Sequence, residues 1–215
     1  MRRTIARQGF RSTHAPCHTE AMKREERKPG PPPTEHRLRE AAIAHLARFA
    51  ATEAGLARVL TRRIDRWVRA TEADGAEPET IAAARTAGRA AIPGIIASLR
   101  ALGAVNDTEF ATSRARRLAR EGKSRRATIA HLATKGIDTD LAASLVPDNQ
   151  ARDLAAACLY LRRRRLPPFG EGDRMRALAS LARQGFDRAT AERALALDRP
   201  DAEALVLAAR RGDPA

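Results

Sequence analysis

Apolar residues keep to helical spacing from Leu38 onward, in two runs that meet near Thr52. Leu38, Ala41, Ala42, Leu46 and Phe49, with His45 among them, form the first run. Thr52 then offers a capping oxygen ahead of Leu56, Val59, Leu60, Ile64 and Val68, so a second helix is expected directly after the first. Between Ala70 and Ala91 the chain turns polar and rich in Gly and Ala; Asp74, Gly75 and Pro78 predict a turn and then a weak helix from near Glu79. Pro93 and Gly94 are expected to break or kink that helix before Ile95, Ile96 and Leu99 resume it.

Further along, the pattern repeats itself. Ile129, Leu132, Ala133, Gly136, Ile137 and Asp138, followed by Leu141, Ala142 and Val146, recur 49 residues later as Leu178, Leu181, Ala182, Gly185, Phe186 and Asp187, followed by Thr190, Ala191 and Leu195. Each part of the unit has a physical task. Ile129/Leu132 and Leu178/Leu181 share a helix face, and Gly136 and Gly185 can take the left-handed conformation that ends the helix. Ile137 or Phe186 then folds back as the apolar partner of that stop, and Asp138 or Asp187 caps the next short helix. Upstream, Asn106 and Glu109 are spaced as a capping box that opens a helix with Phe110, Ala111, Ala115 and Leu118 on one side. Gly122 should stop this helix and Ser124 should cap the one containing Ile129, which makes residues 106–146 a three-helix module. Residues 151–197 fit the same layout, with Pro167, Pro168, Phe169 and Gly170 as a break, and the earlier helices form a third, less regular module.

Composition strengthens the helical picture. Five Phe, one Tyr and one Trp in 215 residues, against abundant Ala, Leu and Arg, argue against a sheet protein. Residues 1–36, with the run Pro29, Gly30, Pro31, Pro32 and Pro33, read as a disordered basic tail. Within it His14, Cys17 and His18 lie close enough to suggest a metal site, but a fourth ligand is missing. Cys17 and Cys158 belong to no C-x-x-C pair or disulfide framework, and no apolar run reaches membrane-span length, so a soluble cytoplasmic protein is expected. Forty Lys and Arg against 26 Asp and Glu leave a charge of +14, which draws the chain toward nucleic acid, acidic protein surfaces or anionic lipid without choosing among them. P-loop, H-E-x-x-H, G-x-S-x-G and dinucleotide glycine motifs are absent from the sequence, so no catalytic residues and no cofactor are assigned.

Leu102, Gly103, Ala104, Val105, Asn106 and Asp107, then Phe110 and Ala111, then Gly122, Lys123 and Ser124, then Leu132, Lys135, Gly136 and Ile137 form an ordered series that resembles the central signature of the RecX family. Residues 41–60 and 181–186 are similar to that family's flanking segments, and the resemblance covers roughly residues 38–197. It departs at Asn106, where an acidic residue is common, and in a Gly/Ala-rich insertion near residues 71–94. What it implies is an all-α protein of tandem three-helix repeats stacked into an elongated curved array. Such an array would lie in the groove of the RecA filament on DNA and damp its ATPase, strand-exchange and coprotease activities, in DNA repair and the SOS response. The expected organisation is the tail over 1–36, repeat 1 over 37–102, repeat 2 over 103–148, and repeat 3 with a C-terminal tail over 149–215. The expected partner is the RecA filament, bound by a monomer, with non-specific DNA contact in addition and no membrane.

The densest cationic stretch runs from Arg114 to Arg126, seven basic residues with the single acid Glu121. Arg114, Arg116, Arg117, Arg120, Lys123, Arg125 and Arg126, with Lys135, Arg162 and Arg163, are therefore the candidate contacts to RecA or DNA phosphate; a basic face of solvated helix is the plainer alternative. His45 and His131 lack a neighbouring metal ligand, and Trp67 reads as a packing anchor rather than a stacking platform. The rival function is a helix-turn-helix DNA-binding protein. It is disfavoured because Asp138 and Asp140 in one copy, and Asp187 in the other, would open the recognition helix toward phosphate.

Overall fold

A computed structural model describes residues 30–211, which are all-helical, with no strand among the described residues. Helices α1 (Glu35–Leu46), α2 (Glu53–Ala73) and α3 (Pro78–Ala101) enclose one apolar cluster, and α4 (Asp107–Arg120), α5 (Arg125–Thr134) and α6 (Thr139–Leu145) enclose a second. The third lies among α7 (Gln150–Arg164), α8 (Arg174–Arg183), α9 (Arg188–Ala196) and α10 (Arg199–Arg211). The fold is thus a series of tandem helical modules, the first two of three helices and the third of four, each with a core of its own.

Local chemistry sets most helix limits. Side-chain oxygens of Thr52, Asn106, Ser124, Asp138 and Asp187 each accept a first-turn N–H of the helix that follows. At the end of α5, Gly136 adopts φ +89°, the Ile137 N–H donates to the Leu132 carbonyl at 3.2 Å, and the Gly136 N–H donates to Ala133 at 2.9 Å. Phe186 and Gly185 repeat those two bonds on Leu181 and Ala182 at the end of α8. Ile137 and Phe186 are buried against the helices they terminate, as the repeat predicts. A clamp that the pattern did not reveal accompanies them. Arg125 opens α5 and sends its guanidinium to the Val146 and Ala143 carbonyls at 3.0 and 3.2 Å, closing the end of α6. Arg174, 49 residues on, does the same for α9 through the Leu195 carbonyl at 2.9 Å.

Three expectations are corrected. Residues 30–36 belong to the first module rather than to a disordered tail: Thr34 caps α1, Pro33 is buried, and the Gly30 carbonyl accepts from Trp67 Nε1 at 2.8 Å. The remainder of that tail, with His14, Cys17 and His18, lies outside the described residues. Pro93 does not break α3, which runs through it. An interior proline costs about 3 kcal/mol, but Ile92, Ile95, Ile96 and Leu99 are buried on that helix and each stabilises it by roughly 1.5 to 3 kcal/mol. Past the third repeat, the C-terminal segment forms α10, whose Ala202 and Val206 are fully buried in the third cluster.

Successive modules meet through one repeated joint. Thr52, the N-cap of α2, accepts from the Gly55 N–H and donates its hydroxyl proton to the Lys135 carbonyl at 2.7 Å, beside the glycine stop of the next module. Ser124, the N-cap of α5, accepts from Ala127 and donates to the Gln184 carbonyl at 2.8 Å, again beside the next module's stop. The N–H that follows each cap turns to an aspartate on the next module's first helix: Glu53 to Asp107 at 2.8 Å, Arg125 to Asp153 at 3.1 Å. At α8 the N-cap is Asp173, whose carboxylate accepts from Arg176 and has no proton to donate.

Candidate partner interface

Helix α4 buries Ala111, Ala115 and Leu118 and turns Glu109, Ser113, Arg116 and Arg120 outward at helical intervals. Arg116 and Arg120 are exposed, have no hydrogen-bonding or ion-pair partner among the described residues, and line a shallow recess of about 430 Å³ with Glu109, Thr112 and Ser113. Arg117 lies about a quarter turn away and is held by Glu121 at 2.9 Å. That bond, with the Arg114 and Arg163 charges nearby, keeps the Glu121 carboxyl below its ordinary pKa.

A second cationic feature sits at the first junction. Beside the Thr52 to Lys135 bond opens a groove of about 450 Å³, lined by Arg58 and Arg62 from α2, Arg114 from α4 and Lys135 from the end of α5, with no carboxylate among its lining residues. Val59 and Phe110 supply apolar wall, and Phe49 stands at the rim, 54% exposed. Two of the cations are fixed in place. Arg58 donates to the Lys135 carbonyl at 3.0 Å, and Arg114 Nε donates to His131 Nε2 at 3.1 Å. The second bond needs a neutral imidazole, and burial, followed by the Arg114 and Lys135 charges, pushes the His131 pKa down.

The family description "RecX, second three-helix domain" matches residues 106–145, the stretch that contains α4, α5 and α6. "Regulatory protein RecX" of Myxococcus xanthus (strain DK1622) is 32% identical over 166 residues, which cover 74% of this chain and 83% of that protein. The chain belongs to the RecX family. No solved structure matches it. Among the described residues of this RecX-family protein, no helix is long and apolar enough to cross a membrane, and no group of three His, Cys, Asp or Glu could hold a metal ion.

The ten cations singled out in the sequence separate into different settings. Arg114 and Lys135 line the groove, Arg116 and Arg120 face outward from α4, and Arg117 pairs with Glu121. Arg126 is exposed and Arg162 half-buried. Lys123 and Arg163 sit at the second junction, bonded to Gln184 Oε1 at 3.4 Å and to the Glu121 carbonyl at 2.7 Å. Arg125 is turned inward and serves the clamp on α6. Arg58 and Arg62 carry no signal in the sequence, and Phe49, read there as part of the first helical run, lies beyond the end of α1 and is exposed. Arg58 and Arg62 do share a face of α2 four residues apart, but only the junction brings them to Arg114 and Lys135, which lie in the next module. His45 rests against the Phe49 ring at 5.3 Å.

Proposed function

We propose that this protein is a non-enzymatic regulator, acting as a cytoplasmic monomer, that binds the RecA filament on DNA and lowers its ATPase, strand-exchange and coprotease activities. One observation carries the reading: a RecX-family chain built as joined modules, with cations left unbalanced on α4 and at the first junction. A row of modules can touch several subunits of a filament at once, and simultaneous weak contacts multiply in effect. Arg116 and Arg120 are the foremost contact residues, supported by Arg114, Arg117, Lys123, Arg126, Lys135, Arg162 and Arg163. Non-specific contact with DNA phosphate follows from the same charges.

Purified protein is expected to inhibit RecA-driven ATP hydrolysis on single-stranded DNA at less than one copy per RecA subunit. A titration that leaves hydrolysis untouched would remove the proposal. Charge reversal at Arg116 and Arg120 is expected to weaken filament binding while the circular dichroism spectrum stays that of the parent. The helix-turn-helix alternative is opposed by α6, a seven-residue helix that opens with the exposed acids Asp138, its N-cap, and Asp140, in its first turn.

A further inference from the structure

We infer that the groove at the first junction is a seat for a short acidic segment of a partner protein that carries one apolar side chain. The inference deepens the regulatory reading, and rests on it only in taking the partner to be a protein.

Charge comes first. Arg58, Arg62, Arg114 and Lys135 converge on one cleft, and the lining contains neither Asp nor Glu. The second junction handles its charge differently: Arg152 and Asp153 pair at 2.9 Å with both side chains largely buried. Cations gathered without a counter-charge favour a ligand that brings carboxylates, and the planar guanidinium fork matches a carboxylate well.

Pre-organisation comes second. Arg58 and Arg114 are each held by one hydrogen bond, to the Lys135 carbonyl and to His131, which leaves their other N–H groups available. Less side-chain freedom is therefore lost when a ligand arrives. Apolar surface comes third. Phe49, Val59 and Phe110 offer contact to one hydrophobic side chain, and about 450 Å³ lies within the range of small-ligand sites.

A nucleic acid would meet the same charges with its phosphates, but to use the apolar wall as well it needs an open aromatic face on which to stack a base. Phe49 does not provide one: the Arg48 guanidinium lies 5.5 Å over its ring and His45 tilts against it. Phe110 is only partly exposed and packs against the second core.

His131 supplies the readout. It is bonded to Arg114, and its pKa is lowered by burial and by the Arg114, Lys135 and Lys123 cations, with Glu121 opposing. An acidic segment in the groove would offset those cations and raise the His131 pKa.

The test is an NMR titration of the full chain, following His131 against pH, with an acetylated peptide Asp-Glu-Phe-Asp-Glu, its Lys-for-acid counterpart, and oligothymidylate. The acidic peptide alone is expected to move the His131 midpoint upward. Arg62→Glu and Phe49→Ser, both at exposed positions, are each expected to weaken that binding by about tenfold. Three results would overturn the inference: no acidic-peptide binding, peptide binding indifferent to both substitutions, or oligothymidylate moving His131 in the peptide's place. The wild-type titration decides alone if either variant proves unfolded. Peptide binding without any inhibition of RecA would remove the RecA partner and keep the groove.

Discussion

At the first junction a threonine hydroxyl reaches the carbonyl beside the next module's glycine stop, and at the second a serine hydroxyl does the same. The surroundings of the two bonds differ. Both junctions bring a glycine against the neighbouring module: a Cβ added at Gly136 would collide with the Ala54 methyl of α2, and one at Gly122 would lie 3.0 Å from the Ala156 carbonyl and from the Tyr160 nitrogen of α7, but at the second junction the largely buried Arg152–Asp153 pair also fills in. Desolvation pushes the pKa of Asp153 up and that of Arg152 down. The first junction leaves the cationic groove open instead. Joint bonds of one kind therefore orient the modules, while the side chains around them decide whether a junction becomes a packed seam or a surface that can receive a ligand.

The largest expected effect comes from breaking the seam. Gly122 has φ +74° in addition to its close neighbours, so Gly122→Val should destabilise the chain by more than about 3 kcal/mol in urea unfolding. Loss of less than about 1 kcal/mol would show the second junction to be loose.

Next comes the alkaline limb of stability, which reports on the core behind that seam. Cys158 is fully buried on α7, and burial pushes its thiol from 9.0 to about 11. The folded state therefore keeps a proton that the unfolded chain releases. The contribution of this thiol is fully present below pH 9 and is lost as pH rises toward 11, by about 2 to 3 kcal/mol in all. Urea midpoints measured across that window should fall for the parent and stay level for Cys158→Ala; a parallel fall in both would refute the assignment.

The smallest effect sharpens the comparison most. Ser124→Ala removes a helix cap and the hydroxyl donor to the Gln184 carbonyl, a loss of about 2 kcal/mol. Thr52→Val removes the matching bonds, but Arg58 still donates to the Lys135 carbonyl at 3.0 Å, so the loss should be nearer 1 kcal/mol. Equal losses, or the reverse order, would mean that Arg58 does not share the first joint.

Much of the interface escaped the sequence for reasons visible in single residues. Arg125 stood in the densest basic stretch and looked like a contact, yet its partners are the Val146 and Ala143 carbonyls. Arg62, with plain helical neighbours, gave no signal, because its significance lies in facing Arg114 of another module. Of the break or kink expected at Pro93, the break is absent, since a local rule for proline takes no account of the buried isoleucines on either side.

By itself the sequence determined the caps and glycine stops of the repeated helices. A cap such as Asp138 accepting from Leu141, or a stop such as Ile137 donating to Leu132, joins residues three to five positions apart, so its geometry is complete within about one and a half turns. Only the tertiary structure decided how the modules meet and which cations share a surface. Thr52 and Lys135 are 83 residues apart and Ser124 and Gln184 are 60 apart, distances at which no periodicity carries information. Whether a junction closes or stays open depends on the volume and charge of side chains brought together by packing, and those become neighbours only after the helices have formed.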